Sequence, residues 1–207
     1  MNRNYLLALL MICFWAGEIA QAKSARKEIL VPAKSLKENK FNQPDGQFSY
    51  DYMAESENLV LFWAKSFGKD PAKYADKGKR FRPEEILKEG ERFYNYYVDK
   101  LKFADKKKSH SARNKMIIWM YNDDETTAYG WGDEGVGMMW MRPCRAQSYP
   151  YCALAHEMGH SFQYMVLVVA HWWNIHRNGC YGRCIRIGLP SNNFIWTLIW
   201  IRHIILY

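Results

Sequence analysis

The amino-acid sequence predicts an α+β fold, and three observations support this class. Within residues 115–121, the five residues 116–120 form an unbroken apolar run, which is typical of a strand buried on both faces. Residues 58–64 form a second short apolar and aromatic run, bounded by charged residues, and are predicted to be another strand. In residues 84–103, by contrast, apolar side chains recur at helical spacing. A sheet packed on helices is therefore expected.

The predicted elements follow one another in the order strand, helix, strand, hairpin and helix. Pro83 opens the first helix, because proline is favoured at the first helical position. The hairpin joins residues 126–131 to residues 136–141 through a Gly-rich turn. The last helix begins after Pro150 and is largely apolar. This order places the hairpin directly before the last helix.

Residues 1–22 are predicted to be an export signal. Arg3 supplies the positive start, residues 6–16 form a short apolar core, and residues 20–22 spell an A-x-A cleavage site. The apolar core is too short for a membrane span, so an uncleaved anchor is the less favoured alternative. The protein is therefore expected to be secreted or periplasmic, with membrane contact limited to the signal or the C-terminal tail.

The rest of the chain is long enough for one globular domain. Residues 23–47 are rich in Lys, Ser and Asn and are interpreted as a polar leader or linker that docks weakly. The folded domain is predicted over residues 48–165. Charges in residues 23–164 nearly balance, with 24 Lys plus Arg against 20 Asp plus Glu. We therefore do not expect nucleic acid as a partner.

The segment His156-Glu157-Met158-Gly159-His160 has a spacing that a specific chemistry demands. On a helix, residues four apart lie on one face, so His156 and His160 can both ligate one Zn²⁺ ion. Glu157 is then placed to act as the catalytic general base that takes a proton from water. The alternative is a core helix whose histidines only hydrogen-bond to neighbours. A zinc-dependent hydrolase is the leading prediction.

This motif, in this order of elements, resembles the zincin metallopeptidases. In that superfamily an H-E-x-x-H helix packs under a short twisted sheet, and a strand at the sheet edge binds the substrate. The resemblance implies a metallopeptidase acting on peptide or protein substrates, with residues 136–141 as the edge strand and substrate held by strand addition. Residues 55–164 also resemble an uncharacterised family of secreted bacterial zincin-like domains.

The third metal ligand is unknown. Gln163 and Val166 stand where a metzincin has Gly and His, which excludes that class. A gluzincin, the subgroup that the resemblance favours, takes a downstream glutamate, yet no Asp or Glu follows Glu157. The histidines that remain as candidates are His171, His176 and His203.

The tail, residues 166–207, has an aberrant apolar composition. Its only formal charges are four arginines, whereas an average stretch of that length carries about ten charged residues of both signs. We interpret the tail as out of frame from Met165 or Val166 onward, so that the C-terminal helical part is missing and the chain as written is inactive. A one-base shift turns the codons of Trp173 and Asn174 into a glutamate codon, which would restore an acidic ligand. A genuine apolar tail is the alternative.

Cys144 and Cys152 are predicted to form a disulfide, because an exported chain permits one and it would tie the motif helix to the preceding segment. Two rival functions remain open. A non-catalytic exported binding module with the same fold would bind a protein or glycan through exposed aromatic side chains such as Trp131 and Trp140. A membrane-associated interaction protein would use the tail. Three tyrosines are available to stabilise a tetrahedral intermediate, namely Tyr129, Tyr149 and Tyr164.

Overall fold

The computed structural model describes residues 26–105, 109–147, 149 and 151–171, with side chains described as far as Met165. The predicted export signal, the side chain of His171, and both His176 and His203 lie outside this part. The predicted tail is described only for the backbone of its first residues. No helix in the described ranges is long and apolar enough to cross a membrane.

Five strands form one mixed sheet in the spatial order β1-β2-β3-β5-β4. The strands are β1 (Met53–Glu55), β2 (Leu59–Trp63), β3 (Met116–Met120), β4 (Tyr129–Asp133) and β5 (Val136–Met141). β2, β3 and β5 run parallel to one another, while β1 and β4 are antiparallel strands at the two edges. The predicted α+β class is therefore confirmed.

In the part of the chain that the structure describes, four α-helices accompany the sheet. They are α1 (Ala33–Glu38), α2 (Pro83–Asn95), α3 (His110–Arg113) and α4 (Cys152–His171). A π-helical turn, Tyr96–Lys100, continues α2, so the predicted helix over residues 84–103 is confirmed for most of its length. α2 and its π-helical continuation bury the side chains that recur at helical spacing, including Ile86, Phe93 and Tyr97.

Both predicted strands are confirmed, because every residue of β2 and of β3 is buried. The hairpin is confirmed too. Its turn is the pair Glu134 and Gly135, whose φ angles of 48° and 76° suit a tight two-residue connection. The expectation that residues 136–141 form the edge strand is wrong, because β5 lies between β3 and β4. β5 is almost fully apolar and buried, whereas β4 exposes Tyr129 and Trp131 and can tolerate the edge position.

The expectation that residues 23–47 dock weakly is wrong for the described part of that segment. The Phe41 side chain is only 6% exposed, and its ring centroid lies 5.1 Å from that of Phe62 and 5.9 Å from that of Trp119. The Lys27 Nζ donates to the Asn58 Oδ1 and, at 2.9 Å, to the Tyr94 hydroxyl. The segment packs because a few apolar residues among its lysines enter the core, so the folded domain begins well before residue 48.

Replacing Phe41 with alanine tests whether this segment belongs to the core. We expect the free energy of unfolding to fall by about 3 kcal/mol, because a buried aromatic ring is removed. Leu36 is the matched control, since it lies in the same segment but is 41% exposed, and Leu36→Ala should cost less than about 0.5 kcal/mol. Urea denaturation measures both. Equal, small effects of the two substitutions would show that the segment does not contribute to the core.

Candidate metal centre

α4 brings the three motif side chains together at one point on its surface. The Nε2 atoms of His156 and His160 lie 2.9 Å apart, and their rings stand nearly perpendicular with centroids 4.5 Å apart. The nearest ligand atoms of these two histidines and of Glu157 all lie within 4.8 Å of one another. The two predicted ligands and the predicted base are therefore clustered, as the i, i+4 spacing requires.

The three side chains differ in exposure, and burial acts on two of them. Glu157 is only 8% exposed, while His156 is half-buried and His160 is exposed. Burial raises the pKa of the Glu157 carboxyl, opposed by the charges of His160 and Arg145 and by a hydrogen bond from the Gly130 backbone N–H. Burial lowers the pKa of the His156 imidazole, and the nearby His160 adds to this effect. A neutral His156 keeps a lone pair free for a metal ion.

Gln163 contacts the exposed His160 and orients its ring. Its Oε1 lies 3.1 Å from the Nδ1 of His160, on the side of the ring away from His156. An amide oxygen can only accept, so this contact places a proton on Nδ1 of His160 and leaves Nε2 able to ligate a metal. From the sequence, Gln163 only excludes the metzincin pattern, because no motif marks its contact with His160.

We expect Gln163→Ala to weaken zinc binding by about 10-fold, because His160 loses the acceptor that orients its ring. Competition with a chelator of known zinc affinity measures the change. Gln147→Ala is the control, since Gln147 is an exposed glutamine outside the cluster whose amide bonds the Gly78 carbonyl. If both variants keep the wild-type zinc affinity, the Gln163 contact has no influence on the metal.

Glycines on the hairpin allow α4 to lie directly against the sheet. A Cβ at Gly130 would lie 1.9 Å from the backbone oxygen of Glu157, and one at Gly132 would lie 2.6 Å from the Tyr164 ring. Gly132 pairs with Gly137 across the two strands, and a Cβ at Gly137 would also meet side chains of α4. The sequence shows that these glycines alternate, but it could not predict that they lie on the face of the hairpin that contacts α4, because this depends on the order of the strands in the sheet.

The π-helical turn that continues α2 holds the same helix from its other side. The Tyr97 hydroxyl donates to the Ala155 carbonyl at 2.9 Å, and the absence of a side chain at Gly159 makes room for that hydroxyl. The Tyr97 ring also packs on Phe162, with centroids 5.2 Å apart. On the sheet side, the Ser161 Oγ donates to the Met138 carbonyl at 2.7 Å. The motif helix is therefore fixed on both sides, which fixes the positions of its functional side chains.

A cavity of about 430 Å³ opens beside the cluster. His156 and Glu157 line one wall, and residues around the start of β4, including Tyr129, line another. Of the three tyrosines available from the sequence, Tyr129 is therefore the one at this cavity. Tyr164 instead stacks on Trp131, with ring centroids 4.3 Å apart, and Tyr149 is 66% exposed.

The predicted disulfide is not formed in the structure. Cys144 and Cys152 are both free and exposed. The Cys144 Sγ lies 3.9 Å from the Glu125 carbonyl oxygen, whereas Cys152 lies in the first turn of α4 and lines the cavity. The two thiols therefore lie in different environments. Among the described side chains, no further His, Cys or carboxylate joins the motif cluster.

The fold and the cluster together define an α+β protein whose mixed sheet supports a His-Glu-His group on a packed helix. The chain belongs to DUF6055, a family of unknown function, whose profile matches residues 21–184. The matched range starts beside the predicted cleavage site and runs into the predicted out-of-frame tail. Neither the curated proteins nor the solved structures contain a significant match.

Proposed function

We propose that this protein is an exported, zincin-like zinc-dependent hydrolase, specifically a metallopeptidase. The observation that carries the proposal is the convergence of the His156 and His160 Nε2 atoms, 2.9 Å apart, beside the Glu157 carboxylate. Two imidazole nitrogens from one helix face are a donor pair that zinc accepts readily. The adjacent cavity gives a substrate access to the same carboxylate.

The donor set fits zinc with little rearrangement. Two nitrogens bound to one tetrahedral zinc ion lie about 3.3 Å apart, so the two rings need to separate by only a few tenths of an ångström. Without a metal, the short contact between the two Nε2 atoms requires a proton on one of them. His156 and His160 would hold a zinc ion through these two nitrogens, in the place of that proton. The third ligand has to come from outside the described side chains.

Zinc, when bound, would supply a Lewis acid that polarises a peptide carbonyl and lowers the pKa of water. Glu157 takes the proton from the attacking water and delivers it to the leaving amine. Burial favours this role, because it raises the pKa of the carboxyl toward the working pH. The Gly130 backbone N–H holds the carboxylate at the edge strand β4, next to the cavity. A substrate strand lying along β4 would bring its scissile bond to this point.

Hydrolysis by the zinc-loaded full chain, expressed from re-sequenced and, where needed, repaired DNA, tests the proposal. We expect turnover of unstructured peptides that stops when a chelator removes zinc and returns when zinc is added back. Mass spectrometry of the products identifies the bond that is cleaved. Hydrolysis that a chelator leaves unchanged, or no hydrolysis by a chain that holds zinc, would contradict a zinc peptidase.

An independent nucleotide sequence across codons 160–207 addresses the third ligand. If one inserted or missing base separates two good frames, the intact gene should encode an acidic ligand near position 173, and the assays belong on the repaired protein. If the frame is confirmed as written, the gluzincin pattern is excluded. His171 and His176 then become the ligands to replace in turn.

The second candidate function is a non-catalytic exported binding module. Tyr129 and Trp131, each 54% exposed on the edge strand β4, are the observation that favours it, because exposed aromatics suit partner binding. Trp140, the other aromatic considered for this role, is half-buried on β5 and therefore offers less exposed surface than Trp131. A Glu157→Ala variant separates the two functions, since an enzyme would lose turnover whereas a binding module has no turnover to lose.

A further inference from the structure

Arg145 is the positively charged side chain in the wall of the cavity that contains His156 and Glu157. It ends the short helical turn Pro143–Arg145 after β5, and its side chain is exposed. The guanidinium is close enough to the cluster for its charge to act on the Glu157 carboxylate. A ligand in this cavity would therefore meet a cation on one side and the candidate general base on the other.

The bonding of Arg145 leaves most of its donors available. Its Nε donates to the Thr126 carbonyl, which holds the guanidinium at the cavity wall. None of the described carboxylates forms a salt bridge with it. Arg142, three residues earlier, is the opposite case, because it is 7% exposed and bonds Asp123 through two nitrogens at 3.0 and 3.1 Å. The guanidinium of Arg142 is therefore paired with carboxylates inside the protein, whereas that of Arg145 is exposed to solvent.

We propose that Arg145 binds a carboxylate group of the peptide substrate, an inference that rests on the proposed peptidase function and narrows its substrate class. The planar guanidinium matches a carboxylate with two parallel hydrogen bonds. A singly charged carboxylate also suits a cavity that already contains Glu157, whereas a doubly charged phosphate would be repelled more strongly by it. The cavity volume of about 430 Å³ suits a few residues of a peptide rather than a large ligand.

The carboxylate has two sources, the C-terminus of the peptide or an acidic side chain. Binding is measured by calorimetry on the full chain in metal-free buffer. The probes are acetyl-tetraalanine with a free C-terminus, its amide, and amidated forms that carry glutamate or glutamine at each position in turn. A preference for the free C-terminus over the amide identifies the first source. A preference for glutamate over glutamine among the amides identifies the second.

For wild type we expect at least one carboxylate probe to bind about 10-fold or more tightly than its neutral partner. The preference should disappear in Arg145→Gln and be partly kept in Arg145→Lys. Arg113→Gln, which removes an exposed arginine on α3 outside the cavity, should keep it in full. Equal binding of charged and neutral probes, no binding of any probe, or a preference that survives in Arg145→Gln would overturn the inference.

The same probes separate this inference from the proposed function. If the carboxylate preference depends on Arg145 but zinc-loaded protein cleaves nothing, the peptidase proposal fails and the carboxylate site stands. If zinc-loaded protein cleaves charged and neutral peptides with the same kcat/KM, the peptidase proposal stands and the role of Arg145 is wrong.

Discussion

Replacing Glu157 with glutamine is expected to lower peptide turnover by about 10²–10⁴-fold while leaving zinc bound. Glutamine keeps the shape of the side chain but cannot take a proton from water. It still accepts the hydrogen bond from the Gly130 N–H through its amide oxygen, so the local structure should survive. The measurements are kcat for a cleaved peptide and zinc affinity by chelator competition.

Glu84→Gln is the matched control for this substitution. Glu84 is an exposed glutamate in the first turn of α2, away from the cavity, and its replacement should change neither quantity. If Glu157→Gln retains wild-type turnover, Glu157 is not the general base. If it loses zinc together with turnover, Glu157 contributes to metal binding instead, and its assigned role is incorrect.

Gly130→Ala is expected to have the second largest effect, about 10²-fold in turnover, together with a lower free energy of unfolding. The added Cβ would lie 1.9 Å from the Glu157 backbone oxygen. The backbones of β4 and α4 therefore cannot both keep their positions. The helix must shift away from β4, which moves Glu157 away from the Gly130 N–H. Peptide turnover and thermal unfolding, measured on the same preparation, report the two consequences.

Gly78→Ala is the control for the glycine substitution. A Cβ at Gly78 would lie 3.2 Å from the Asp76 carboxylate, a side chain that can move aside. Its stability and turnover should therefore stay close to wild type. Equal behaviour of the two variants would mean that the close packing of α4 on β4 does not set the position of Glu157.

Local patterns were sufficient to predict part of this structure. The buried strands β2 and β3 follow from unbroken apolar runs, and α2 follows from apolar residues at helical spacing. The clustering of His156 and His160 follows from the same local geometry, because residues four apart on a helix share one face. Each of these features depends on neighbours within one element, which is why sequence alone was enough.

Features that depend on contacts between distant segments could not be predicted in this way. β5 is apolar whether it lies inside the sheet or at its edge, so its central position was missed. The docking of residues 26–47 depends on single side chains such as Phe41, which an average over a lysine-rich segment conceals. Arg145 joins the motif helix only because a turn after β5 returns to the same cavity. None of these arrangements leaves a periodic signal.

Zinc content shows most directly whether His156 and His160 form a metal site. The full chain, expressed from re-sequenced DNA, is loaded with zinc, dialysed and analysed for metal, and X-ray absorption then identifies the ligands. We predict about one zinc ion per chain with two imidazole ligands, and loss of that ion in both His156→Ala and His160→Ala. A folded wild-type chain that holds no more zinc than these two variants would show that His156 and His160 do not form a zinc site.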